Sequence, residues 1–198
     1  FLVRYNLALT YNMTLDATEQ IDQVMTLGFA MRPVNYDLIN ILVKYTFFDQ
    51  QRPLALEDYN IDRTRKHVVS VVPMIELPYG FQVINKLAWK YVNSEVSSLT
   101  DGELPEVFTS TVLYIFRLNY HLWKLTEQLG FDIGAEYRFM RQYEPSDLQH
   151  GALIDLDLVV YEYMRLGFGY NFTHFSDNEF DPEGTDAHGW FFRVRGTY

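Results

Sequence analysis

Leu129-Gly130-Phe131-Asp132-Ile133-Gly134-Ala135-Glu136-Tyr137-Arg138-Phe139 alternates without a break. Leu129, Phe131, Ile133, Ala135, Tyr137 and Phe139 fall on one side; Gly130, Asp132, Gly134, Glu136 and Arg138 fall on the other. A side-chain period of two belongs to an extended strand with one apolar and one polar face. The same rhythm continues in both directions along the chain.

Toward the C-terminus, Ala152, Ile154, Leu156, Leu158 and Val160 alternate with Asp155 and Asp157, and Leu166, Phe168, Tyr170 and Phe172 alternate with Arg165, Gly167, Gly169, Asn171 and Thr173. The last strand sets Trp190, Phe192, Val194, Gly196 and Tyr198 against Arg193, Arg195 and Thr197. Toward the N-terminus, the sixth strand sets Phe108, Val112, Tyr114, Phe116, Leu118 and Tyr120 against Thr109, Thr111, Arg117 and Asn119. The fifth sets Phe81, Val83, Leu87, Trp89 and Tyr91 against Gln82, Lys86 and Lys90, with Asn85 as a polar residue on the apolar side. The fourth runs from Lys66 to Leu77 with Ser70 and Glu76 on the polar side, and Pro73 predicts a bulge or local defect in its ladder. The third carries Asn40, Lys44 and Thr46, the second Asp22, Thr26, Gly28 and Arg32, and the first, Phe1 to Met13, carries Arg4 and Asn6.

Ten strands with no helical pattern between them predict an all-β, antiparallel, up-and-down transmembrane β-barrel with its apolar face toward lipid. The chain opens in mid-strand, so the barrel has room for more strands upstream, and residues 1–198 read as one domain, the C-terminal part of a longer chain. No apolar run of about 18 residues exists to form a helical span. Tyr, Phe and Trp make up 17% of the chain, which suits aromatic girdles at lipid boundaries. The absence of cysteine fits a fold held by its own ladder rather than by disulfides.

Connections are expected to alternate in length. Short turns are predicted at Pro33–Tyr36, Pro78–Gly80, His121–Lys124 and Tyr161–Met164, and longer polar loops near Asp49–Thr64, Ser94–Glu106, Tyr143–His150 and Ser176–Ala187. In an outer-membrane barrel this places both termini on the periplasmic side.

The predicted lumen lining is Arg4, Asp22, Arg32, Lys44, Glu76, Lys86, Lys90, Arg117, Asp132, Glu136, Arg138, Asp155, Asp157, Arg165, Arg193 and Arg195. With Lys66 included, eleven basic residues face six acidic ones there, an excess of five in a chain whose net charge is −10. Charges taken out of water need partners, so a paired, filled interior is the first expectation, and a basic, anion-favouring path is the second. Inward glycines in the seventh and ninth strands fit a crowded interior.

Chemistry beyond this is sparse. The acidic run Ser176-Asp177-Asn178-Glu179 through Asp181-Pro182-Glu183 lacks the spacing of a calcium hand and reads as a solvated surface loop. His67, His121, His150, His174 and His188 show no paired metal-ligand spacing, so no metal or other cofactor is expected. Asp177 near His174 and Asp186 near His188 could pair as an acid–base set, but no barrel-hydrolase motif accompanies them and no enzyme is predicted. The acidic exterior disfavours nucleic acid.

Arg32-Pro33-Val34-Asn35-Tyr36-Asp37 leading to Val43-Lys44-Tyr45-Thr46-Phe47, then Gly134-Ala135-Glu136-Tyr137-Arg138, Leu166-Gly167-Phe168-Gly169-Tyr170-Asn171-Phe172 and Gly189-Trp190-Phe191-Phe192-Arg193-Val194, resemble the C-terminal porin-like outer-membrane barrel of large bacterial surface proteins. The resemblance implies an outer-membrane address in a Gram-negative bacterium and an anchoring or conduit role, and it carries over no catalytic residue. Val194, Gly196 and Tyr198 also resemble the terminal signal read by the barrel-assembly machinery. The expected function is therefore a membrane anchor or structural component that presents loops or attached domains at the cell surface. Its expected partners are outer-membrane lipid, the assembly machinery and other subunits of a surface or envelope complex. A porin-like channel and a soluble β-barrel carrier are the alternatives.

Overall fold

The computed structural model describes residues 1–13, 17–33, 38–53, 61–95, 106–126, 129–144, 146–160, 164–173 and 188–196. Ten strands form one antiparallel sheet in strict sequence order: β1 (Leu2–Asn12), β2 (Ala17–Met31), β3 (Ile39–Pro53), β4 (Ile61–Leu77), β5 (Phe81–Glu95), β6 (Glu106–Thr126), β7 (Leu129–Gln142), β8 (Asp147–Val160), β9 (Met164–Asn171) and β10 (Gly189–Gly196). This is the predicted all-β, up-and-down architecture with the predicted strand count.

Closure is where prediction and structure part. Among the described residues β1 pairs only with β2 and β10 only with β9, so the sheet is open, with two free edges. Because consecutive strands reverse direction, Phe1 and Gly196 lie at the same end of the sheet, with the Pro78–Gly80 turn. Tyr79 and Gly80 both take left-handed φ there (66° and 81°), a conformation glycine adopts freely and tyrosine rarely does.

The register carries every apolar set onto one face. Tyr45 pairs with Val69, Val69 with Trp89, Trp89 with Val112, and farther along Ile154 pairs with Tyr170 and Tyr170 with Trp190. This apolar face is the exposed one: Leu87 is 53% exposed, Leu156 44% and Trp190 69%. The centre of the opposite face, from β3 to β9, is buried, with Leu113 at 0% and Asp155 at 2%, while β1 is exposed on both faces. A single layer of strands can bury one of its faces only by curling around it, so the polar face is concave and the apolar face convex.

Several local expectations are corrected. His121–Lys124 is not a turn but part of β6, whose ladder with β7 shifts between His121 and Trp123 and again between Lys124 and Thr126. β3 and β4 extend into the predicted Asp49–Thr64 loop and leave only 54–60 between them, while β8 begins at Asp147 and takes in His150. Connection lengths therefore alternate less cleanly than predicted, since 143–146 is short and 32–38 is not. We call the end with 54–60, 96–105 and 172–188 the loop end and the other the turn end. Pro73 makes the local defect expected of it rather than a bulge. Val71 still pairs with Leu87 and Met74 with Ile84, and the β4–β5 ladder only skips the two positions between, as a residue without an N–H requires.

Candidate functional site: an ionic lattice on the concave face

Arg117 on β6 and Asp155 on β8 are separated by a strand, yet Nη2 of Arg117 donates to Oδ1 and Oδ2 of Asp155 at 2.9 and 2.8 Å. Gly134 explains the reach. It stands between Asn119 and Asp155 in the register, and a Cβ there would collide with the Asp155 carboxylate and lie 2.6 Å from Arg117 Nη2. The missing side chain is the channel through which the guanidinium crosses β7. Gly167 on β9 does the same between Asp157 and Arg193 on β10. Nη2 of Arg193 then donates to Asp155 Oδ2 at 2.9 Å and to Asp157 Oδ1 at 3.3 Å.

The pairing spreads along β5–β8. Glu136 accepts from Arg117 Nη1 at 3.3 Å and from Arg138 Nε, and Arg117 Nε donates to Asn119 Oδ1 at 2.8 Å. Asn119 Nδ2 donates to Gln82 Oε1 at 2.8 Å, and Gln82 Nε2 donates to Glu76. Arg117, Arg138 and Arg193 thus balance Glu136, Asp155 and Asp157, and all but the part-exposed Arg193 are largely withdrawn from solvent. Such a set holds its strands in one register, because a slip would strand a charge. Below it, toward the turn end, Asp132 bonds His121 Nδ1 at 2.5 Å and meets Arg165 at 3.7 Å.

Above it, toward the loop end, the concave face carries an apolar cluster. Val68, Ala88, Leu113 and Ile115 form a buried apolar cluster, with Phe48 and Met140 packed against it, and buried Leu153 lies on the same face. Buried Thr46, Ser70, Lys90 and Thr111 surround it. The sequence reading, which assigned this face by its polar residues, missed these seven apolar residues. The signal was available, because Leu113 and Ile115 share parity with Arg117.

Of the predicted lining, Glu76, Arg117, Asp132, Glu136, Arg138, Asp155, Asp157, Arg165 and Arg193 are brought together by these contacts. Lys44, Lys86 and Lys90 share the concave parity on β3 and β5, and by parity the excess of basic residues lies on β1–β5. Asp22 on β2 accepts from Gln20. Arg4 is exposed on edge strand β1, and Arg32 is exposed beyond the end of β2. The Arg195 side chain and Tyr198 lie outside the described residues, as do His174 and the acidic stretch 176–183, while Val194 and Gly196 are exposed at the end of β10. Among the described residues no three His, Asp or Glu side chains gather as a metal site.

On the convex face, polar atoms pair with one another. Tyr114 Oη donates to Asn85 Oδ1 at 2.8 Å, Trp89 Nε1 donates to Ser110 Oγ at 2.8 Å, and Tyr45 and Tyr137 bond His67 and His150 at 2.9 and 2.6 Å. Asn85 is therefore not a stray polar group. Tyr114→Phe is expected to cost about 1–2 kcal/mol by leaving the amide unmet, and Asn85→Leu in the same background to recover most of it. Unfolding midpoints of the three chains check this.

Compared with known proteins, the chain matches no protein-family model, and no curated protein matches it.

Proposed function

We propose that the protein is an integral component of a bacterial outer membrane, an anchor whose convex face meets lipid and whose loop end presents the longer connections at the surface. The observation that carries this reading is the chemistry of the convex face: it is apolar and broadly exposed, and between its aromatic rows Asn85, Tyr114, Trp89 and Ser110 bond to each other within the face. Water would satisfy those groups without such pairing; hydrocarbon cannot.

Aromatic rows support it. Phe81 and Tyr120 pack at 4.5 Å and Phe1 and Phe29 at 5.2 Å toward the turn end, while Tyr91 and Phe108 stack at 6.1 Å toward the loop end. Ten residues separate Phe81 from Tyr91 on β5, about 33 Å at about 3.3 Å per residue, or about 25 Å of height at a tilt of about 40°. That is the apolar band of an outer-membrane strand. Past the upper row the same face turns ionic, with Arg63 on Asp49 and Arg65 on Glu95. Membrane insertion requires the β1 and β10 edges to find partners, with each other or with further strands, because unmet backbone groups in hydrocarbon cost several kcal/mol each.

The self-neutralised lattice favours an anchor over a pore. The basic excess on β1–β5 is the one feature that favours an anion path. Refolding into phosphatidylcholine vesicles tests both readings. We expect carbonate-resistant insertion without conductance in planar bilayers. Anion-selective steps would overturn the anchor, and a monodisperse, detergent-free soluble chain would overturn membrane residence.

A further inference from the structure

Two hairpins repeat one arrangement on the convex face near the loop end, and a third shares part of it. Tyr45-Thr46-Phe47 on β3 has His67 directly across from Phe47, and Tyr137-Arg138-Phe139 on β7 has His150 directly across from Phe139. Tyr170-Asn171-Phe172 follows the pattern on β9: Asn171 pairs with Gly189, and the ring of the preceding His188 meets Tyr170 edge-on at 6.0 Å. In the first two, the tyrosine hydroxyl bonds histidine Nδ1. In the tautomer with the proton on Nε2, the hydroxyl donates to Nδ1 and each ring offers an N–H directed away from its tyrosine.

The β7–β8 copy also carries an unspent charge. Arg141 lies two residues past Phe139 on the same face and pairs with Leu148, which puts it diagonal to His150, a spacing of about 7–8 Å that long side chains bridge. Arg141 is exposed, its guanidinium 5.0 Å from the Tyr143 ring, and among the described residues no carboxylate pairs with it. In the β3–β4 copy the position of Arg141 is held by Asp49, and the cations across from it are occupied, Arg63 by Asp49 and Arg65 by Glu95. The nearby acids do not compete: Asp147 has the opposite parity and accepts from Gln149, and Glu144 sits in the turn beyond.

We infer that Arg141 and the Nε2–H of His150 bind the phosphate of an anionic lipid at the boundary of the apolar band, an inference that rests on the membrane reading above. A guanidinium suits phosphate oxygens in fork geometry, and the imidazole N–H adds a second donor. The exposed Leu148 and half-buried Phe139 beside the pair lie where an acyl chain would run, and a free anion would gain nothing from them.

The test refolds the chain into phosphatidylcholine vesicles with and without a minor fraction of phosphatidylglycerol, extracts it in mild detergent, and counts retained lipids by native mass spectrometry. The expected result is preferential retention of phosphatidylglycerol that falls about tenfold in the Arg141→Gln/His150→Gln chain, stays in Arg65→Gln, and resists millimolar inorganic phosphate. Equal retention by wild type and the double variant would overturn the inference, as would displacement by inorganic phosphate. Insertion into both vesicles without lipid preference removes this inference alone, whereas failure to insert removes the membrane reading with it.

Discussion

Asp155→Ala is expected to lower stability by about 3–5 kcal/mol, because it leaves two guanidiniums, those of Arg117 and Arg193, facing each other on the buried face without the carboxylate they share. The Asp155 side chain is only 1% exposed, so water cannot stand in for it. Asp155→Asn, which keeps an acceptor oxygen but not the charge, should fall between wild type and alanine. Urea midpoints in detergent or vesicles, at constant m-value, measure the series. Wild-type-like stability of Asp155→Ala would mean that the lattice is incidental to the fold.

Gly169→Ala is expected to cost about 2–3 kcal/mol for a different reason. Its Cβ would sit 2.6 Å from the Ile154 carbonyl oxygen, 2.5 Å from Phe191 Cζ and 2.9 Å from Asp155 Cβ. Two of these atoms belong to the facing strand's backbone or Cβ and cannot swing away, so β8 and β9 must separate. At Gly134 the colliding atoms are the ends of Asp155 and Arg117, and Gly134→Ala should act by pushing that ion pair apart. Gly196 has nothing within 4 Å of the built Cβ, and Gly196→Ala should change stability by less than about 0.5 kcal/mol. The order Gly169, Gly134, Gly196 separates spatial need from any general penalty on strand glycines.

Alternation made the strands legible because the two faces differ so sharply in chemistry, and parity alone identified Leu129 to Phe139, Leu166 to Phe172 and the residues on either side. It failed where parity itself breaks: the bulge after His121 made a strand look like a turn and hid the His121–Asp132 contact. The crowding suggested by Gly134, Gly167 and Gly169 is present in the structure, but the bonds it permits were not readable. Arg117 reaches Asp155 across 38 residues of sequence, and only the register reveals which glycine opens the way. The apolar cluster around Leu113 was passed over because the concave face was assigned by its charges. The open edges of β1 and β10 also have no signature in the pattern, since an edge strand and a paired one alternate alike.

The repeated Tyr-x-Phe with a facing histidine shows the same limit. Tyr-x-Phe stands in the sequence five times, and His67 and His150 looked like scattered residues until pairing set each opposite one of these phenylalanines.

Which face touches hydrocarbon can be measured directly. The chain has no cysteine, so Leu87→Cys and Lys86→Cys each provide a unique labelling site on adjacent, oppositely directed positions of β5. With an environment-sensitive fluorophore at each, in vesicles containing spin-labelled lipid, strong quenching is expected at position 87 and little at position 86. Quenching at 86 with none at 87 would reverse the sheet and contradict the account.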